Sequence, residues 1–204
     1  MSILLNSFDH KNKLLYHGEH VKKILDGKRP FPIQLEVDLT NVCNHACSFC
    51  NMAETLASDN SIIDHNILLK SLHDAYSLGA RSISFTGGGE PTMHPRFIDI
   101  VSTCKDIGFD LGLITNGSLL TQKNSGKLRT FFDWIRISLG GPDPESYKTI
   151  QGKSDYDKVL RNVKHIKGGE GDQVVDIGLK IMLTKENLIP LERLVTNLKR
   201  HEIG

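Results

Sequence analysis

Five short segments of this 204-residue sequence obey one rule. They are IQLEVDLT (33–40), RSISFT (81–86), FDLGLIT (109–115), WIRISL (134–139) and VDIGLKIMLT (175–184), and their odd-numbered positions are apolar except at two ends, Arg81 and Thr115. Val37, Phe85, Leu113, Ile137 and Leu179 are examples. The even-numbered positions are mostly small or polar: Gln34, Glu36, Asp38, Ser84, Gly112, Arg136, Ser138, Asp176, Lys180. Side chains alternate across a strand, so each segment predicts one greasy face and one polar face. A parallel sheet covered on both sides reads as continuous apolar runs. A closed, packed barrel fills its interior with Val, Ile and Leu. Neither fits. The pattern predicts helices on the apolar face only, with the polar face lining a curved, open cavity. An ordinary two-layer sheet with one wet face is the alternative.

Helical patterns separate the segments. HNILLKSLHDAYSLG (65–79) puts Leu68, Leu72 and Ala75 on one face and ends at a glycine. HPRFIDIVSTCKDIG (94–108) does the same with Phe97, Val101 and Cys104. DYDKVLRNVKHIKGG (155–169) carries Val159, Val163 and Ile166, and NLIPLERLVTNLKR (187–200) is the last pattern. Strands alternating with helices predict βαβ units and a parallel α/β fold. Residues 1–30, with a short helix in HGEHVKKILDG, read as a lead-in, and 31–204 as the domain proper.

The chemistry concentrates in CNHACSFC (43–50), three cysteines spaced C-x3-C-x2-C after the first strand. In parallel α/β folds that end of the strands carries function. A structural zinc site uses four ligands, typically from paired C-x2-C units, and no second pair exists here. Cys104 lies on the apolar face of a helix pattern and reads as a core thiol. His45, inside the same loop, is the alternative fourth ligand. Iron–sulfur clusters favour thiolates. Three thiolates on a four-iron cubane leave one iron open, and an open metal position is where a ligand binds. Clustered thiols in a reducing compartment hold metal more often than they form disulfides. The first residues lack a signal-peptide pattern, so a cytoplasmic setting is expected. The net charge of +1 gives no electrostatic reason to expect nucleic acid or a membrane surface, and no apolar run is long enough to span a bilayer.

The run EVDLTNVCNHACSFCN (36–51), with Phe49 just before the last cysteine, resembles the start of the radical S-adenosylmethionine (radical SAM) domain. The resemblance extends from about residue 33 to about residue 200. It implies a partial (β/α)6 barrel, TIM-like but open on one side, with helices on the outer face. It implies that Cys43, Cys47 and Cys50 hold a [4Fe–4S] cluster whose fourth iron binds S-adenosylmethionine. In FTGGGEP (85–91), the resemblance assigns Gly88, Gly89 and Glu90 to the amino group of that cofactor. Alone, those glycines would also fit a plain strand–helix turn. Asn116, in a TNG turn, corresponds to a position beside the cofactor, and Ser138 to one near its ribose. Lys180 faces the cavity by parity and would meet the cofactor carboxylate or a substrate; pairing with Asp176 is the alternative. Gln34, Glu36, Asp38, Ser84 and Arg136 are the substrate candidates.

Two positions depart from the pattern of peptide-modifying relatives, Gly140 in place of an aspartate and Gln151 in place of an arginine. The sequence ends after the fifth strand and its helix, so the barrel's sixth strand is expected to be missing. The implied activity is reductive cleavage of S-adenosylmethionine to a 5′-deoxyadenosyl radical, which takes hydrogen from a substrate. Its electron would come from a flavodoxin- or ferredoxin-type donor. The alternatives are a degenerate or truncated relative that binds cluster and cofactor, and a structural zinc module.

Overall fold

The computed structural model describes residues 16–168, 175–185, 191–201 and 203. Helix α1 (Gly18–Leu25), which has no buried residue, leads into β1 (Gln34–Asp38). There follow α2 (Ala53–Ser58), α3 (His65–Leu78), β2 (Ser82–Thr86), α4 (Phe97–Ile107), β3 (Asp110–Thr115), α5 (Gln122–Phe131), β4 (Trp134–Gly140), α6 (Pro144–Gln151), α7 (Tyr156–Lys167), β5 (Asp176–Ile181) and α8 (Leu191–Arg200). All strand pairs are parallel and lie in chain order, β1 to β5. Strands β1 and β5 are the two edges, so the barrel is open.

The register explains the odd–even rule. Val37, Phe85, Leu113, Ile135 and Ile177 form one row across all five strands. The row beside it is Glu36, Ser84, Gly112, Trp134 and Asp176. The first row belongs to the core, together with Leu68 and Leu72 of α3, Phe97, Ile100 and Val101 of α4, and Val159, Val163 and Ile166 of α7. Each such side chain, fully buried, stabilises the fold by about 1.5–3 kcal/mol. Cys104 is fully buried in this layer, and burial pushes its thiol up to about 12. The core reading of that cysteine holds.

The helix patterns between strands gave α3, α4 and α7, but three helices escaped them. Helix α5 buries only Ser125 and Leu128, so it has no apolar stripe to read. Helix α2 is six residues long. Helix α6 did carry a signal. Asp143 accepts from the Ser146 N–H, the Ser146 hydroxyl accepts from the Asp143 N–H, and Pro144 stands at the first helical position. The fifth strand is also shorter than its pattern. It stops at Ile181, and Met182 and Leu183 are exposed. Of the last helix pattern, 187–190 lie outside the described residues, as do residues 1–15 of the lead-in. No helix among the described residues is long and apolar enough to cross a membrane.

Candidate active site

The cysteine loop sits at the C-terminal end of β1 and is fastened from two sides. On one side is the glycine-rich loop after β2. Gly89 N–H donates to Thr40 O at 3.1 Å and Glu90 N–H to Val42 O at 2.9 Å. A Cβ at Gly89 would collide with the Thr40 and Val42 carbonyls. That glycine is therefore needed for close approach to the chain entering the cysteine loop. Gly88, beside it, is half-buried.

Glu90 is buried, at 3 % exposure. Its Oε1 accepts from Thr92 N–H (3.2 Å), the Thr92 hydroxyl (2.5 Å) and the Thr115 hydroxyl (2.6 Å), and its Oε2 accepts from Asn116 N–H at 2.8 Å. A carboxylate oxygen has about two acceptor positions, so three donors more than fill Oε1 while Oε2 accepts a single bond. Oε2 thus keeps one for a further donor such as an ammonium group. Asn116 Nδ2 in turn donates to Asn44 Oδ1 (2.8 Å), inside the cysteine loop, and Asn44 Nδ2 donates to the Ser118 hydroxyl (2.8 Å). The loops after β1, β2 and β3 are one hydrogen-bonded unit.

On the other side is the end of α6. Ala46 N–H donates to Gln151 O (3.3 Å) and Ser48 N–H to Ile150 O (2.9 Å). The Cys47 thiol donates to Gln151 Oε1 at 2.7 Å. Gln151 is buried, and its Nε2 donates to Ser138 O at 2.5 Å. The two departures from the family pattern are thus neighbours, since a Cβ at Gly140 would stand 2.6 Å from Gln151 Cγ.

Cys43, Cys47 and Cys50 are half-buried and free. Burial pushes Cys47 up to about 11, with Cys43 and Cys50 adding to the rise. Cys43 is also raised, chiefly by burial, with Glu90 and Cys50 contributing. The three sulfurs and Glu90 are therefore within electrostatic reach of one another. Crowded thiolates repel, and a bound cationic metal centre reverses that preference. Among the described residues, no three His, Cys, Asp or Glu side chains converge on one point as a single ion requires. A cubane sets a different demand, because each cysteine binds a different iron. His45 has partners other than the sulfurs: its Nδ1 lies 3.3 Å from Gln151 Oε1, its Nε2 3.9 Å from Asp155 Oδ2, and its ring meets Tyr147 edge-on. Burial holds it below its ordinary value, so it is neutral. Neither observation favours the zinc alternative. The thiol set and the pinned backbone fit an iron–sulfur cluster.

Phe49 is exposed at the tip of the loop. Ser138 is half-buried on the concave face, and the exposed Lys180 stands opposite it in register. The suggested Asp176–Lys180 pair does not form. Asp176 pairs with Arg136 at 3.0 Å, and the guanidinium lies over the Trp134 ring at 5.3 Å. The register is the reason, because Asp176 is opposite Trp134, two residues from Arg136, while Lys180 is opposite Ser138. Of the substrate candidates, Gln34 donates to the Ser84 hydroxyl at 2.8 Å, and Glu36 and Asp38 are exposed on the same face. Asn44 and Thr115 were missed, and Gln151 was noted only as a departure from the family pattern, not as a neighbour of Cys47. Each works by contact with a loop distant in sequence, which no local pattern records.

The sequence profile of the radical SAM superfamily matches residues 37–194. The chain belongs to the radical SAM superfamily. It is 32% identical over 163 residues to a probable GTP 3′,8-cyclase of Sulfurisphaera tokodaii, covering 79% of this chain and 50% of that protein. It is 32% identical over 170 residues to the tungsten-containing aldehyde ferredoxin oxidoreductase cofactor-modifying protein of Pyrococcus furiosus, covering 80% of this chain and 47% of that protein. The chain spans about half the length of the curated relatives it matches. Among solved structures, SuiB of Streptococcus suis bound to its precursor peptide SuiA superposes with a TM-score of 0.72 at 20% identity, over 93% of this chain and 42% of that one. SuiB bound to S-adenosylmethionine gives 0.67 at the same identity, over 94% of this chain and 44% of that one. These likenesses show the radical SAM partial barrel.

Proposed function

We propose that this radical SAM chain is the catalytic core of an enzyme that cleaves S-adenosylmethionine reductively. The observation that carries the reading is the cysteine loop itself, locked at the C-terminal end of β1 by Glu90, Asn116 and the end of α6. Cys43, Cys47 and Cys50 would hold the [4Fe–4S] cluster. When bound, that cluster would supply the electron for reductive cleavage of S-adenosylmethionine, the source of a 5′-deoxyadenosyl radical that would take hydrogen from the substrate.

The chain's own residues do the placing. The spare acceptor position on Glu90 Oε2 receives the cofactor's amino group, with the Gly88–Gly89 backbone and Asn116 beside it. Lys180 meets the carboxylate of cofactor or substrate, and Ser138 stands near the ribose. Phe49, exposed beside Cys50, would contribute an apolar contact to the cofactor. Glu36, Asp38 and Ser84 line the concave face where substrate enters, with Gln34 and Arg136 further along it. A dry, fixed site lowers the reorganisation that charge movement requires and keeps a radical from side reactions. A reduced flavodoxin- or ferredoxin-type protein is the electron donor.

The test is anaerobic. The chain is reconstituted with iron and sulfide, reduced with dithionite and given S-adenosylmethionine, and 5′-deoxyadenosine is read by mass spectrometry. The expected result is product from the wild type and none from the Cys43→Ala, Cys47→Ala, Cys50→Ala triple variant. Iron uptake without cofactor cleavage would replace this reading with that of a cluster-binding relative. Zinc in place of iron would overturn it.

A further inference from the structure

We infer that Asn162 of α7 is a positioning residue for the site that takes the amino group of S-adenosylmethionine. The inference rests on the S-adenosylmethionine reading above. Asn162 stands in the apolar stripe of α7, among Val159, Val163 and Ile166, and is itself buried at 7 % exposure. An amide in such a place is costly unless its polar atoms are bonded. Its Nδ2 donates to Gly117 O at 2.8 Å and to Ser118 O at 3.3 Å. Both partners are carbonyl oxygens, so the hydrogen-bond network fixes the amide nitrogen as the end that faces them. Val159, one turn earlier on the same helix, meets the same residues. A Cβ at Gly117 would stand 3.1 Å from Val159 Cγ1 and 2.9 Å from Ile137 Cγ2. The turn after β3 is thus seated on α7.

The opposite side of that turn reaches the site. Asn116 N–H donates to Glu90 Oε2 at 2.8 Å, and the Thr115 hydroxyl donates to Glu90 Oε1 at 2.6 Å. Gly117 N–H donates to the Thr115 hydroxyl at 3.0 Å. The Ser118 N–H and hydroxyl both donate to Asn116 Oδ1, at 3.0 and 2.7 Å. The N–H groups of the turn are therefore committed toward Glu90 and to one another, while two of its carbonyls are committed to Asn162. Glu90 Oε2, the oxygen with a spare acceptor position, takes its bond from this turn. Without Asn162, Gly117 O is left with the longer bond from Leu120 N–H (3.3 Å), and Ser118 O loses its side-chain donor. The turn then shifts on α7 to satisfy its carbonyls, Asn116 N–H moves with it, and the aim of Oε2 follows. Hydrogen bonds weaken steeply when bent, and a charge-assisted bond to an ammonium group has the most to lose.

The test compares Asn162→Ala and Asn162→Asp in the reconstituted 204-residue chain. Asn162→Ala removes both donors. Asn162→Asp keeps the size and shape of the side chain and sets acceptors against the two carbonyls. Tyr156→Phe is the control, since it removes a 2.6 Å bond from the same helix to Pro142 O without touching the turn. The readouts are the urea midpoint and the S-adenosylmethionine dissociation constant, the latter by calorimetry on cluster-loaded protein. Both Asn162 variants should bind S-adenosylmethionine about tenfold more weakly, the size of effect expected when one charge-assisted bond is misaligned. Tyr156→Phe should lower the urea midpoint and keep the wild-type dissociation constant. Wild-type affinity in Asn162→Ala or in Asn162→Asp would overturn the inference. So would an equal loss of affinity in Tyr156→Phe, since stability alone would then account for the effect. Failure of both Asn162 variants to fold or to load a cluster would assign Asn162 to the fold and overturn it too. A cluster-loaded wild-type chain that binds no S-adenosylmethionine would instead overturn the function proposal, and that arm is read before any variant.

Discussion

The two edges of the sheet are built differently. At the β1 edge, three successive loops are tied together by the Glu90 carboxylate, the Asn116–Asn44 pair and the Gly89–Thr40 contact, and α6 closes on them from the side. At the β5 edge the core row thins. Ile177, Leu179 and Ile181 are only half-buried, Lys180 is exposed, and Met182 and Leu183 follow in the open. The same alternation runs through both edges, so the difference is not one of strand pattern. Buried polar bonds hold one edge in a single arrangement. At the other edge, Arg136 pairs with Asp176 across β4 and β5, and the described apolar side chains are less covered. A reactive cofactor demands the first kind of construction.

The largest break in this comparison should come from Glu90→Gln. Both carboxylate oxygens accept from chain donors, so an amide nitrogen in either place opposes an N–H or O–H. A buried donor left without an acceptor costs roughly 1–3 kcal/mol. Urea melts should show that loss, and calorimetry should show weaker S-adenosylmethionine binding to the reconstituted protein.

A smaller effect is expected from Asp143→Ala, which removes the cap of α6 and costs about 1 kcal/mol. This effect depends on pH. Burial pushes the Asp143 carboxyl up, but the Ser146 backbone and hydroxyl donors and Arg193 outweigh it and hold the group below its ordinary value. A carboxyl lowered by folding stabilises above its unfolded value of about 3.9 and loses that contribution as the pH falls through its folded value. The gap between wild type and Asp143→Ala should be full above about pH 5 and should shrink below about pH 4. Melts across that range check it.

Lys180→Ala should be the mildest for the fold, within about 0.5 kcal/mol of wild type, because the side chain is exposed. Cofactor affinity should fall about tenfold if Lys180 contributes one charge-assisted bond. A large loss of stability would show the β5 edge to be as constrained as the other and would break the comparison.

The sequence by itself determined the strands, their parallel sense, the greasy and wet faces, and the thiol loop. All of these rest on local spacing. Period-two alternation marks the faces of Val37 and Glu36, a helix between strands forces a crossover, and three cysteines in eight residues declare their chemistry without any fold. Helix α6 could have been read from its capping residues, and α5 could not, having no apolar stripe. Tertiary structure alone decided the rest. It gave Asp176 to Arg136 and left Lys180 opposite Ser138, because register is a property of paired strands. It turned Gly89 toward the chain at 40–42 and set Gln151, 104 residues from Cys47, against that sulfur. Hydrogen bonds between distant loops depend on how the sheet brings strand ends together, and no window of neighbouring residues contains that geometry.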